Sequence, residues 1–220
     1  TFDAFRVTGL LASMAPNTAI VVEVGAVKEL ERDLIAETTT VLDVALYLGG
    51  RVRGLTLDEP LAFVLHQDIS LEVMRERLYP YLDTRHFPPM TWIEAYPSVP
   101  VKTWFMELGK MRLRGVEAGY HPVTACHVDL DLNAAKQQPG RLKRAAADVQ
   151  WLRSRVEAMG LTFGVIIWGC DERSPETWLA SAGELVGFYQ DTFGQDWPER
   201  IIIQSWAKVP TARQLLTFAD

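Results

Sequence analysis

The chain has 220 residues, with 22 Lys and Arg against 28 Asp and Glu, for a formal charge of −6. Hydrophobic residues make up 48%, which allows a large core and excludes a disordered chain, and the absence of a basic stripe with interleaved aromatics argues against nucleic acid as the main partner. Cys126 and Cys170 are too few for a disulfide framework or a Cys-based zinc site, and no apolar run approaches the roughly 18 residues of a membrane span.

Residues Phe2–Ser13 carry a weak helical pattern, and Thr18–Val27 is a dense β-branched run that reads as a buried strand. Helix formers and charges fill Lys28–Leu48, with Gly49-Gly50 as the stop. A second strand, Val52–Glu59, ends in Asp58-Glu59-Pro60, where proline cannot continue a sheet ladder. Ser70 caps a helical zone over Leu71–Leu82, Met90–Tyr96 is the third strand, and Val101–Leu113 is an amphipathic helix. Val123–Leu132 is the fourth strand. The helix over Arg141–Met159 shows an apolar stripe at Leu142, Ala145, Val149, Leu152, Val156 and Met159, ended by Gly160. Leu161–Gly169 is the fifth strand. Ser174-Pro175-Glu176 supplies a cap, a proline and an acid to open a helix that reaches about Phe193, and Arg200–Trp206 is the sixth strand. The chain opens on Thr1 rather than Met and shows no signal peptide, so it reads as processed or as an excerpt of a longer chain. The compartment stays open, with a lean toward secreted or periplasmic.

Apolar strands separated by helices imply a parallel sheet buried on both faces. The turn after the first strand, Val24-Gly25-Ala26-Val27-Lys28-Glu29, lacks the glycine-rich pattern of a dinucleotide site. Polar residues recur at period 2 inside later strands: Trp92, Glu94 and Tyr96; His127, Asp129 and Asp131; Gln204 and Trp206. A face polar in successive strands suits a barrel lumen. The expected fold is therefore α/β, a single (β/α)₈ TIM-barrel domain over residues 1–220. Six strands and five or more helices are visible, and the missing strands are expected before residue 1.

The strand ends gather Glu23, Asp58 and Glu59, Glu94 and Tyr96, His127, Asp129 and Asp131, Trp168, then Gln204 and Trp206. Active sites of parallel barrels lie at this end. Crowded carboxylates repel, so one is held toward its protonated form. Glycoside hydrolysis needs such a pair, one carboxyl protonating the leaving oxygen while another attacks or activates water. Rim aromatics add flat apolar faces for sugar rings.

This arrangement resembles the clan of (β/α)₈ glycoside hydrolases whose fourth strand ends Asn-Glu-Pro and whose eighth ends in tryptophan. Asp58-Glu59-Pro60 matches the first motif with Asp in place of Asn, and Trp206 matches the second. The resemblance implies that Glu59 is the general acid/base. The family's nucleophile ends the seventh strand, but Gly164–Gly169 carries no acid there, and Asp171 and Glu172 follow in the loop. Glu94 and Asp131 complete the expected catalytic set. Glu23, Asp58, Tyr96, His127, Asp129, Trp168, Gln204 and Trp206 are the expected substrate-binding residues. The expected partner is a polysaccharide or oligosaccharide, with no cofactor, nucleic acid or membrane span. Two alternatives stand beside it. One is a Mn²⁺- or Mg²⁺-dependent sugar isomerase or hydrolase using Glu94, His127, Asp129 and Asp131, and the other is a non-catalytic carbohydrate-binding barrel.

Overall fold

The computed structural model describes residues 20–24, 33–47, 52–84, 87–117, 119, 123–137, 140–171 and 173–204. The helix expected over Phe2–Ser13, as well as Glu172 and Trp206, lie outside the described residues. Six strands follow in order: β1 Ile20–Val24, β2 Val52–Asp58, β3 Met90–Tyr96, β4 Val123–Leu130, β5 Thr162–Ile167 and β6 Arg200–Ile203. The helices are α1 Leu34–Tyr47, α2 Pro60–His66, α3 Leu71–Leu82, α4 Val101–Glu117, α5 Leu132–Lys136, α6 Arg141–Ala158 and α7 Pro175–Phe193. The sheet keeps the sequence order of its strands, and β1–β2, β2–β3, β4–β5 and β5–β6 all pair in parallel.

The expected barrel is corrected. A (β/α)₈ barrel needs about eight strands closed on themselves, whereas six make up the sheet among the described residues. The fold is α/β on a parallel sheet, not a (β/α)₈ barrel. Alternation of strands and helices and period-2 polarity report which faces are buried. Neither contains any information about closure, which depends on pairing between the first and last strands.

The chain divides into two compact units, Thr1–Ile93 with Leu108–Thr124, and Glu94–Glu107 with Ala125–Asp220. In the first, Leu55, Leu57, Trp92 and Met90 form the buried apolar face of β2 and β3, in register as Leu55 with Met90 and Leu57 with Trp92. Helix α3 starts at Ser70, whose hydroxyl accepts from the Val73 N–H at 3.3 Å, and buries Met74, Leu78, Tyr81 and Leu82. The Thr38 hydroxyl of α1 donates to the Tyr81 hydroxyl at 3.2 Å. Arg114 donates from Nε to Asp83 at 3.1 Å and lies 4.8 Å from the centre of the Tyr79 ring.

In the second unit, α6 buries Ala145, Val149, Leu152 and Val156, the inner part of the stripe legible in the sequence. Leu142, at its margin, is exposed. Helix α7 opens with a reciprocal box: the Ser174 hydroxyl accepts from the Thr177 N–H at 3.2 Å, and the Thr177 hydroxyl accepts from the Ser174 N–H at 3.0 Å. Its buried face carries Trp178, Ala182, Leu185 and Tyr189. Just past β5, Gly169 lies hard against that helix, because a Cβ built there would meet the Trp178 carbonyl oxygen at 2.3 Å and its ring at 2.5 Å. Glycine is required here for space.

Gly183, on the exposed side of α7, has nothing within 4 Å of such a Cβ. Gly169→Ala is expected to lower stability by about 1–3 kcal/mol through overpacking. Gly183→Ala is expected to raise it by about 0.5–1 kcal/mol through reduced chain entropy. Urea unfolding midpoints at constant slope measure both.

Candidate functional site

The sequence-derived residues fall into distinct environments. In the first unit, register pairs Glu23 with Thr56 and Thr56 with Thr91, giving a polar row across β1, β2 and β3, while Asp58 pairs with Ile93. Parallel neighbours share a face and alternate residues oppose each other. Glu23, Thr56, Asp58 and Thr91 therefore share the face opposite Leu55 and Leu57. Glu23 is exposed, whereas Asp58 is only 4% exposed.

Glu59 follows Asp58 at the turn from β2 into α2. Its backbone is left-handed, φ 47° and ψ 42°, a region that a non-glycine residue enters at a cost of about 1–2 kcal/mol. The turn is held by main chain on both sides: the Glu59 N–H donates to the Ile93 carbonyl at 3.1 Å, and its own carbonyl accepts from the Phe63 N–H at 3.1 Å. Pro60 occupies the first helical position, and the Glu59 side chain makes no capping bond to α2. The proline that reads in sequence as the end of a strand thus also starts a helix. Asp68 shares a positive φ of 53°, but it is exposed in a turn, where aspartate commonly takes this conformation.

In the second unit the expected acids separate. Glu94 is completely buried. Two residues on, the Tyr96 hydroxyl donates to Asp148 of α6 at 2.9 Å, so Tyr96 and Glu94 face the helix layer. Burial, followed by the bond to Asp148, pushes the Tyr96 hydroxyl up to about 12. Cys126 is also buried, and its thiol is raised well above the usual range, first by burial and then by the charge of Glu94. His127 and Asp129 have the opposite parity to Cys126 and face away from Glu94. Period 2 is legible within a strand, but which parity meets the helices has to be set strand by strand, and here β3 turns its polar set toward them.

Asp131 has a structural task. Its Oδ1 accepts from the Ala134 N–H at 2.9 Å and caps α5, a short helix where the sequence suggested continuing strand. Its N–H donates to the Tyr96 carbonyl at 2.8 Å. Asp171, a substitute for the missing nucleophile, is bound by Arg173 through Nε at 2.9 Å and Nη2 at 2.6 Å. That guanidinium holds its carboxyl well below the usual carboxylate range.

His127 is 4% exposed, and neither ring nitrogen has a hydrogen-bond partner among the described residues. It pairs in register with Gly164, which pairs with Arg200. A Cβ on Gly164 would meet the His127 ring at 2.5 Å and the Arg200 Cβ at 3.0 Å. The imidazole fills the space that this glycine leaves. Sequence reasoning passed over Gly164, although a glycine within a strand is itself a sign of close approach. Burial, and then the charge of Arg200, push His127 down to about 4.

Trp168 and Gln204 stand at the ends of β5 and β6, where the Gln204 N–H donates to the Ile167 carbonyl at 3.1 Å. Trp168 Nε1 and Gln204 Nε2 are both buried without a hydrogen-bond partner among the described residues. No group of three or more His, Cys, Asp and Glu among the described residues could hold a metal ion. No helix among them is long and apolar enough to cross a membrane. No protein-family model, curated protein or solved structure matches the chain.

His127 is neutral in the folded chain and titrates near 6.5 when unfolded. Its contribution to stability is therefore complete above about pH 6.5 and is lost as pH falls toward 4, by about 3 kcal/mol in all. Urea unfolding across this range is expected to show a shallower pH dependence in His127→Leu than in the wild type, and identical slopes would refute the assignment.

Proposed function

We propose that the chain acts on a carbohydrate by carboxylate acid/base catalysis, with Glu59 as the proton donor. The supporting observation is the left-handed backbone of Glu59, directly after the buried Asp58 at the end of β2. Strain of this kind persists where surrounding structure over-determines it, and it concentrates at functional positions. Helix capping does not account for a glutamate here, and glycine would fit the backbone better. Among the three acids expected to be catalytic, Asp131 caps α5 and Glu94 faces the helix layer, which leaves Glu59 as the one at a strand end without a capping task. The polar row of Glu23, Thr56 and Thr91, with Asp58 on the same face, supplies hydroxyl and carboxylate groups of the kind that hydrogen-bond sugar hydroxyls. The match of Asp58-Glu59-Pro60 to the Asn-Glu-Pro motif of glycoside hydrolases supports the same role.

Glu59→Gln is expected to fold normally and to lose about 10²–10⁴-fold in kcat on a responsive glycan, with wild-type activity surviving EDTA. Glu59→Gly is expected to lose the same activity while gaining about 1 kcal/mol of stability by relieving the left-handed strain. Reducing-end release from a glycan panel and urea unfolding measure the two effects. Full activity in Glu59→Gln, or activity abolished by EDTA and restored by Mn²⁺, would overturn the proposal.

A further inference from the structure

The ends of β5 and β6 carry a feature that proton donation by Glu59 does not use. Trp168 continues the parity of Gly164 and Ile166, and Gln204 that of Arg200 and Ile202. The register pairs Gly164 with Arg200 and Ile166 with Ile202. The Gln204 N–H to Ile167 carbonyl bond closes the last of these pairs, Ile167 with Ile203, so Trp168 and Gln204 each directly follow that pair on neighbouring strands. Asp129, which pairs with Ile166, has the parity that Trp168 continues.

Each side chain presents a buried N–H donor with no partner among the described residues. A donor left unsatisfied in this way is costly, and two at neighbouring strand ends are a combination that folding alone does not favour. The indole nitrogen can only donate, so whatever it meets must accept. Asp129 and Arg200 share this parity with opposite charges, so no excess of positive charge calls for a strongly anionic acceptor, and the chain as a whole carries −6. Neutral oxygens remain, the hydroxyl and ring oxygens of a sugar, and the indole offers them a flat apolar neighbour.

We propose that Trp168 Nε1–H and the Gln204 side-chain amide form a two-donor subsite for the oxygens of a neutral sugar unit. The subsite takes its ligand class from the carbohydrate function proposed above, but its geometry does not involve Glu59.

Calorimetric titration with neutral oligosaccharides (cello-, xylo-, manno- and malto-series), alongside a uronate oligosaccharide, tests it. Wild type is expected to bind at least one neutral series more tightly than the uronate. Gln204→Leu and Trp168→Phe are each expected to weaken that binding about five- to tenfold. Gln204→Leu is also expected to leave the thermal midpoint unchanged or raised, because an apolar group replaces an unsatisfied donor. If Trp168→Phe lowers its midpoint, its titration is run below that temperature. Unchanged binding in both variants, a lowered midpoint in Gln204→Leu with intact binding, preference for the uronate, or no binding of any neutral series would overturn the subsite. If Gln204→Leu weakens binding while Glu59→Gln turns over like wild type, the subsite stands and the acid/base role falls. If Glu59→Gln is inactive while both donor variants bind normally, the subsite alone falls.

Discussion

Burial of the apolar parity of β2, β3, β4 and β5 is the constraint on which the rest of this structure depends. Leu55, Leu57, Met90 and Trp92 are almost completely removed from water on one face of β2 and β3, and Cys126, Val128, Phe163 and Val165 are buried on corresponding parities of β4 and β5. Once these residues are committed, period 2 leaves no choice for their neighbours. Thr56 and Asp58, or His127 and Asp129, must lie on the other face. A polar side chain there stays only if it finds a partner, a ligand or a fitted space, and this divides the polar residues of the chain by the kind of work they do.

The division was partly legible in the sequence. All six strands lie where β-branched and apolar runs place them, and Ser70, Ser174 and Pro175 start their helices as cap chemistry requires. Legibility ended at three-dimensional register. Trp92, Glu94 and Tyr96 form a correct period-2 set, yet Tyr96 turns to α6, where it bonds Asp148, 52 residues away. Asp58 pairs with Ile93, which assigns it the opposite parity to Glu94. Nothing local to β3 encodes that choice. The capping role of Asp131, a candidate catalytic acid in the sequence, was hidden for a different reason: the helix it starts spans only Leu132–Lys136, too short to show periodicity. Closure into a barrel had no local signature at all.

Gly164 and Gly169 show how the same sheet uses its smallest residues. One makes room for the His127 ring and the other for the backbone and ring of Trp178. Both are space requirements set by partners that the local sequence does not display, the His127 ring on the neighbouring strand and Trp178 on α7. The consequence for His127 is electrostatic as well as steric. A ring packed over glycine, away from water and near the charge of Arg200, is held neutral through the physiological range. It is thus a neutral ring that fills space rather than a charge.

Glu59 and Asp131 both end strands, both were candidate catalytic acids, and both occupy the residue before a helix. They differ in what the helix asks of them. Asp131 takes extended backbone, φ −77° and ψ 94°, and gives its carboxylate to the Ala134 N–H, so stability alone explains an aspartate there. Glu59 takes left-handed backbone and makes no side-chain capping bond, so the backbone alone would favour glycine at that position. A residue kept against the local free-energy preference needs a gain elsewhere, and a carboxyl group at the end of a strand beside buried Asp58 has a chemical one available. That contrast singles out Glu59 more sharply than the Glu-Pro motif does, because it rests on a cost that the backbone geometry exposes and the sequence conceals.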